Sequence, residues 1–158
     1  MESPVVELRE VTKDNLNQVL ALRVKPEQTK FVMDNTRSLA DAYVNPSRTL
    51  PRVIYVAGEP VGFTLLDLVG PDHPDAVNGR AAYMLWRLMI GAKHQGKGYG
   101  RAALLAVIEH IKKLPDAHAI TLTHVQADGN PGPLYRSVGF EPTGELVDDE
   151  VVMRLSLA

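Results

Sequence analysis

Glycines and cations cluster just before a segment with helical periodicity. The segment "HQGKGYGRAALLAVIEHIKK", residues 94–113, contains the glycines Gly96, Gly98 and Gly100 and the cations Lys97 and Arg101. A backbone without side chains lets a ligand come close and adopts conformations that other residues rarely reach. The N-terminus of a helix offers free N–H groups to phosphate, and nearby cations strengthen that binding. The spacing therefore predicts a phosphate or diphosphate site.

Two other phosphate motifs and one purely structural interpretation compete with this one. The Walker A motif needs a Lys-Ser or Lys-Thr pair after its second glycine, and none follows here. Gly98, Gly100 and Ala103 formally fit the dinucleotide fingerprint GxGxxA, but the acidic residue expected about 20 positions further on is missing before Asp128. A flexible strand-to-helix turn without a ligand is the structural alternative.

The elements that position this loop follow from the hydrophobic pattern. A near-continuous apolar run over 82–90 precedes the loop and is typical of a strand buried on both faces. Leu104, Ile108 and Ile111 recur at helical spacing, which predicts a helix over 100–113 that packs on a sheet. The other predicted elements are helices over 14–23, 28–44 and 134–138, strands over 5–11, 52–57, 61–69, 119–127, 141–146 and 151–157, and a loop over 70–80.

Length and composition exclude several classes of protein. The 158 residues predict one α/β domain, 1–158, with a mixed sheet. With no cysteine the chain has no disulfide, thiolate metal site or cysteine nucleophile, and we expect no metal. A net charge of −2 argues against a nucleic-acid partner, and no apolar run is long enough for a membrane partner. Without a signal-peptide pattern we expect a cytoplasmic protein. The acidic run over 148–150 is interpreted as solvated surface.

The motif "QGKGYG", residues 95–100, resembles the Q/R-x-x-G-x-G/A loop of the GNAT superfamily of N-acetyltransferases. In the same order, "YMLWRLMI" (83–90) resembles the strand before that loop, and "NPGPLYRSVGF" (130–140) resembles its later Asn…Tyr-x-x-x-Gly-Phe helix. The resemblance covers essentially the whole chain. Through "LWRLMIGAKHQGKGYGRAAL" (85–104) and "KPEQTKFV" (25–32), it points to bacterial spermine and spermidine acetyltransferases. It implies a mixed, mostly antiparallel central sheet flanked by helices, and acetyl-CoA as cosubstrate.

The resemblance also assigns residues to parts of acetyl-CoA. Backbone bonds to the pantetheine arm are implied for Leu88, Met89 and Ile90. Pyrophosphate contacts are implied for Gln95, Gly96, Lys97, Gly98, Tyr99, Gly100 and Arg101. Asn130 matches a position near the cofactor, although a cap on the short helix explains this residue equally well. Tyr135 matches the general-acid tyrosine of the family, whose phenol, with an ordinary pKa near 10, protonates the departing thiolate.

Substrate-binding residues are predicted from charge. A polyamine carries several positive charges, so carboxylates and flat aromatic faces should surround it. The predicted substrate-binding residues are Glu27, Asp34 and Trp86. Glu27 and Asp34 share a face if the helix over 28–44 is continuous there, and solvated surface explains them equally well. Trp86 and Arg87 are expected on opposite faces of their strand, and Arg87, in an apolar run, needs a partner.

The sequence leaves several alternatives open for the general base and for the amine acceptor. The strand over 82–90 holds no carboxylate, although many members of the family use a glutamate there. The candidates are Glu27, Asp34 and His124, or a chain of waters that serves no single base. Without cysteine, the acetyl group passes directly to the amine. An amino acid, an aminoglycoside-like amine or a protein N-terminus are alternative acceptors, and a CoA- or nucleotide-binding module without turnover is the alternative to an enzyme. We expect the protein to form a homodimer.

Overall fold

The computed structural model describes residues 4–70, 76, 79–80 and 82–157. Their strands are β1 (Val6–Arg9), β2 (Thr49–Val56), β3 (Glu59–Val69), β4 (Ala82–Ile90), β5 (Ala119–His124), β6 (Glu141–Val147) and β7 (Glu150–Ser156). Their helices are α1 (Leu16–Ala21), α2 (Asn35–Val44), α3 (Tyr99–Lys112) and α4 (Gly132–Ser137), with 3-10 turns at Pro26–Gln28 and Ala92–His94. The predicted loop over 70–80 lies mostly outside the described residues.

The strands form one sheet in the order β1-β2-β3-β4-β5-β7-β6. Neighbouring strands are antiparallel except for β4 and β5, which are parallel. This mixed, mostly antiparallel sheet with flanking helices confirms the predicted fold class. The ladder between β4 and β5 contains only the pairs Tyr83–Ile120 and Met84–Thr121. Beyond these pairs, the remaining residues of β4 have no strand partner on that edge among the described residues.

Helices cover both faces of the sheet, which explains why β4 is apolar along nearly its whole length. On one face, the buried cluster includes Leu104, Val107 and Ile111 of α3 with Leu122 and Phe140. On the other face, Val19 of α1 and Ala42 of α2 pack with Val53, Phe63, Leu65 and Met89. In the described part of the chain, no helix is long and apolar enough to span a membrane.

The predicted helix over 28–44 is wrong in its first part. Residues 26–28 form a 3-10 turn, and α2 begins only at Asn35. The cause is local: Asp34 has extended backbone angles, and its carboxylate accepts a hydrogen bond of 2.8 Å from the Arg37 N–H, which caps the helix. Glu27 and Asp34 therefore do not share the face of one continuous helix. The predicted strand over 119–127 is also shorter, because β5 ends at His124.

Candidate functional site

The loop between β4 and α3 takes its shape from its glycines. Gly96 has a φ of 78° and Gly98, the N-cap of α3, has a φ of 82°, both in the left-handed region that favours glycine. Gly100 differs, because a Cβ added there would meet the Leu134 side chain at 3.8 Å, an ordinary contact. Two of the three glycines are thus required by the conformation of the loop.

The N-terminus of α3 is open to a ligand. No side chain caps it among the described residues, and its first turn contains no acidic residue. Lys97 and Arg101 are exposed beside it. The free N–H groups and the helix dipole at this end favour an anion, and the two cations add to the same field.

The gap between β4 and β5 opens into a cavity of about 510 Å³. Its walls come from β4 from Met84 onward, the glycine loop, the end of β5, the middle of α4 with the turn before this helix, and Glu150 at the start of β7. A further wall is the segment that begins at the last residue of the first 3-10 turn. We call this last segment, residues 28–33, the acceptor segment. A concave site of this size with converging polar groups is typical of small-molecule binding.

Most of the predicted site residues line this cavity. They are Trp86, Leu88, Met89, Ile90, Gln95, Gly96, Gly98, Tyr99, Gly100 and Tyr135. Glu27, Asp34, Lys97, Arg101 and Asn130 are not among the lining residues. Asn130 has a structural role, since its side chain accepts a bond of 2.8 Å from the Gly132 N–H and donates one of 3.0 Å to the Ala127 carbonyl. Of the predicted base candidates, His124 is the one that reaches the cavity.

Tyr135 is buried at the cavity wall beside two other aromatic rings. Its ring centroid lies 6.3 Å from that of His124 and 5.9 Å from that of Phe140, and the Tyr135 carbonyl accepts a bond of 3.1 Å from the Phe140 N–H. Burial raises the pKa of Tyr135 to about 12. The phenol is therefore protonated at neutral pH, as a proton donor must be. No group in the described part of the chain hydrogen-bonds its hydroxyl.

His124 lines the same wall of the cavity as Tyr135. Its Nδ1 lies 3.0 Å from the carbonyl oxygen of Val125, which can only accept, so Nδ1 is the donor of this hydrogen bond. Nε2 is buried and has no hydrogen-bond partner among the described residues. A Cβ added to Gly132 would lie 3.1 Å from this nitrogen, which places Nε2 close to the start of α4.

A β-bulge makes the expectation for Trp86 and Arg87 wrong. Leu65 pairs with Arg87 and Leu66 pairs with Leu85, so Trp86 is the extra residue of β4. The bulge cancels the alternation between the two side chains, and the Arg87 guanidinium lies 4.7 Å from the centroid of the Trp86 ring. Both side chains consequently line the same cavity.

Arg87 has the charged partner that the sequence requires. Its Nη1 donates a bond of 2.6 Å to the carboxylate of Asp41, and the two side chains are only 10% and 15% exposed. Burial alone would raise the pKa of Asp41, but hydrogen bonds from Arg87 and Arg37 outweigh it and lower this pKa. The pair neutralises Arg87 beside the cavity.

Among the cavity residues that the sequence analysis did not predict, Glu150 and Gln28 make side-chain hydrogen bonds that bear on the site. Glu150, at the start of β7, lines the cavity and accepts a bond of 3.3 Å from the Thr123 hydroxyl, so placing it in a solvated run was wrong. Gln28 lines the cavity and bonds Gln95. The sequence did contain an indication that Glu150 lies in the sheet. The two exposed residues before it, Asp148 and Asp149, are typical of a tight turn, after which β7 returns to the sheet.

Within residues 4–70, 76, 79–80 and 82–157, no three His, Cys, Asp or Glu side chains lie close enough together to hold an ion.

Sequence comparisons relate the chain to acetyltransferases. The model of the acetyltransferase (GNAT) family matches residues 16–140. The spermine/spermidine N(1)-acetyltransferase of Bacillus subtilis (strain 168) is 31% identical over 145 residues, which cover 89% of this chain and 91% of that relative. A probable spermine N(1)-acetyltransferase of Bacillus subtilis subsp. natto (strain BEST195) is similar to the same extent.

Solved structures share the fold over nearly the whole chain. An acetyltransferase from Thermus thermophilus aligns with a TM-score of 0.72 at 20% identity, over 99% of this chain and 100% of that one. An aminoglycoside acetyltransferase in complex with coenzyme A aligns with a TM-score of 0.77 at 18% identity, over 96% and 95%. The spermidine N-acetyltransferase from Vibrio cholerae in complex with CoA and spermine aligns with a TM-score of 0.66 at 19% identity, over 96% and 94%.

Proposed function

Because the chain belongs to the acetyltransferase (GNAT) family and is an N-acetyltransferase, we propose that it transfers the acetyl group of acetyl-CoA to a primary amine of a small polyamine. Spermine and spermidine are the proposed acceptors, since two relatives matched over most of their length carry those names. One geometric observation carries the proposal: a single cavity joins the glycine loop, Tyr135 and the acceptor segment. An enzyme that brings a thioester to an amine needs these three parts within one space.

The proposed place of the pantetheine arm is the gap between β4 and β5. The Gly91 N–H donates a bond of 2.9 Å to the Val61 carbonyl of the neighbouring strand. Backbone groups alternate along a strand, so those of Met89 face β3, whereas those of Leu88 and Ile90 face the gap. The amides of the pantetheine arm would bond Leu88 and Ile90, and Met89 would contribute its side chain.

The proposed diphosphate site is the glycine loop with the N-terminus of α3. Its proposed contacts are those predicted from the sequence: Gln95, Gly96, Lys97, Gly98, Tyr99, Gly100 and Arg101. The Gln95 side-chain amide is already bonded to Gln28 and to the Ile90 carbonyl, so Gln95 would contact a phosphate through its backbone. Asn130 would act at a distance from the cosubstrate, by holding the turn that starts α4.

The proposed reaction forms a C–N bond and breaks the C–S bond of the thioester. The neutral amine attacks the carbonyl carbon, and the backbone N–H of Leu88 or Ile90 stabilises the charge that develops on the carbonyl oxygen. As the C–S bond breaks, the Tyr135 hydroxyl gives its proton to the sulfur, and coenzyme A leaves as a thiol. The proton lost by the amine passes to water, and the tyrosinate regains a proton from solvent.

The acceptor is proposed to enter beside Glu150. Among the described lining residues Glu150 is the only carboxylate, and an ammonium group needs such a partner in a partly buried site. Trp86 offers a flat apolar wall to the methylene groups of the acceptor. Glu27 and Asp34 flank the acceptor segment outside the cavity and stay proposed contacts for more distant ammonium groups of a long polyamine.

A panel of amines tests the proposal. The chain is mixed with acetyl-CoA and with spermine, spermidine, lysine or an aminoglycoside, and the released thiol is followed. We expect the highest kcat/KM for spermine and spermidine. Turnover of another amine alone would refute the polyamine assignment and leave acetyl transfer standing. Binding of coenzyme A without turnover of any amine would favour a binding module. The homodimer and the cytoplasmic location stay predictions.

A further inference from the structure

Two glutamine side chains join opposite walls of the cavity. Gln28 is the last residue of the 3-10 turn and the first of the acceptor segment, and Gln95 stands immediately before the first glycine of the loop, 67 residues away. The Gln28 Nε2 donates to the Gln95 Oε1 at 3.1 Å, and the Gln95 Nε2 donates to the Gln28 Oε1 at 2.8 Å. The two amides thus form a reciprocal pair.

Both amides have further bonds that fix their orientation. The Gln95 Nε2 also donates to the Ile90 carbonyl at 2.8 Å, so both of its hydrogens are used. The Gln28 Oε1 also accepts a bond of 3.0 Å from the Lys25 N–H. The network connects the end of β4, the start of the glycine loop and the start of the acceptor segment.

The acceptor segment depends on such side-chain bonds. Between the 3-10 turn and Asp34, the backbone N–H groups of Thr29 and Phe31 donate to the carbonyls of Pro26 and Gln28, and the described part of the chain offers this stretch no other backbone bond. A segment without a regular ladder is easily displaced. A change in the glycine loop at Gln95 would therefore be transmitted to the acceptor segment through the reciprocal amides.

We propose that Gln28 is a positioning residue that couples the two substrate sites, so that coenzyme A in the glycine loop orders the acceptor segment for the amine. This inference rests on the proposed function for the identity of the amine. By thermodynamic linkage, the amine then increases the affinity for coenzyme A by the same factor. Gln28 touches neither reacting atom and acts through Gln95 and Lys25.

The test compares the wild type with Gln28→Ala, Gln95→Ala and the double variant. The affinity for coenzyme A is measured by calorimetry with and without saturating spermine. Kinetics give KM and kcat separately. We expect spermine to tighten coenzyme A binding to the wild type about three- to tenfold, the range that one or two hydrogen bonds support, and not to affect binding to Gln28→Ala. KM for spermine should rise about as much in Gln28→Ala, with kcat changed less than twofold.

Three further readouts decide the outcome. The coupling in the double variant should match that in Gln95→Ala, because each single substitution already breaks the reciprocal bonds between the two amides. Gln28→Glu keeps the acceptor for Lys25 and Gln95 and should retain part of the coupling. Gln18→Ala, on the exposed side of α1, is the matched control and should behave as the wild type. Equal coupling in the wild type and Gln28→Ala, or no coupling in the wild type, would overturn the inference.

Failure of the proposed function is recognised separately. If spermine is not acetylated by the wild type, the amine that turns over in the panel replaces it in the same measurements. If no amine turns over, the proposed function fails. Gln28→Ala must still weaken coenzyme A binding in that case, because the Gln95 side chain loses its orienting partner; unchanged binding would reject the network as a positioning device.

Discussion

Replacement of Tyr135 by phenylalanine removes one hydroxyl from the cavity wall and almost nothing else. The ring contacts with His124 and Phe140 remain, because the two side chains have nearly the same shape. If the hydroxyl protonates the leaving thiolate, its loss lowers kcat by about 10² to 10⁴, the usual contribution of a general acid. The dissociation constant for coenzyme A should change less than twofold, since the proposed phosphate and pantetheine contacts lie elsewhere.

Tyr135→Phe should also change how the free energy of unfolding depends on pH. Burial raises the pKa of Tyr135 to about 12, whereas an unfolded chain has a tyrosine pKa near 10. Between these values the folded chain keeps a proton that the unfolded chain has lost, so the free energy of unfolding falls as the pH rises. Each pKa unit corresponds to about 1.4 kcal/mol, so by pH 12, where the folded tyrosine is half ionised, the wild type should lose about 2 kcal/mol that Tyr135→Phe does not lose.

The assay measures thiol release with saturating spermine at pH 8 and denaturant unfolding from pH 9 to pH 12. Tyr43→Phe, at an 84% exposed position of α2, is the matched control and should leave both measurements unchanged. A Tyr135→Phe variant with wild-type kcat would refute the role of the hydroxyl as proton donor. Parallel alkaline unfolding curves for that variant and the wild type would refute the raised pKa.

Three further predictions concern the rest of the site. Gly98→Ala should reduce the free energy of unfolding by about 1–2 kcal/mol in denaturant titrations, because alanine is strained at the left-handed φ of 82°, and should weaken coenzyme A binding in calorimetry. Asp41→Asn should cost about 2 kcal/mol at pH 7 by leaving Arg87 without its charged partner. Folding lowers the pKa of Asp41, so the stabilisation that this carboxylate provides is present above about pH 4 and is lost below it. Asp41→Asn should therefore lose less stability in acid than the wild type does. Glu150→Gln should raise KM for spermine about tenfold and leave the affinity for coenzyme A unchanged. Glu145→Gln, at an exposed position of β6, is the control and should change neither quantity. An unchanged KM for spermine in Glu150→Gln would exclude Glu150 as the partner of the amine.

Elements with a strong local signature could be predicted closely from the sequence. The apolar run over 82–90 coincides with β4, and the helix predicted over 100–113 differs from α3 by one residue at each end. In both cases the pattern comes from burial of the whole element, and the glycine loop between them has the backbone that its composition indicates. The meeting of this loop with Tyr135 in one cavity followed from the family resemblance, while the roles of these residues stay predictions.

What could not be predicted depends on contacts between distant parts of the chain. The bulge at Trp86 exists only in the pairing of β4 with β3, and no residue of β4 alone indicates it. Glu150 enters the cavity because β7 returns beside β5, where Thr123 meets it. The error at Asp34 was local, because a side chain with good helical neighbours served as a cap instead of a helix residue.

The short ladder between β4 and β5 has a mechanical consequence. It leaves a seam that divides the sheet into a four-stranded and a three-stranded part, joined at one end by two residue pairs. α3 packs against β1 and β4 of the four-stranded part, and its buried residues share a cluster with Leu122 of β5 in the three-stranded part. An occupant that bonds the free edge of β4 would close this seam as an additional strand. The cosubstrate would then hold the two parts of the sheet together as well as supply the acetyl group.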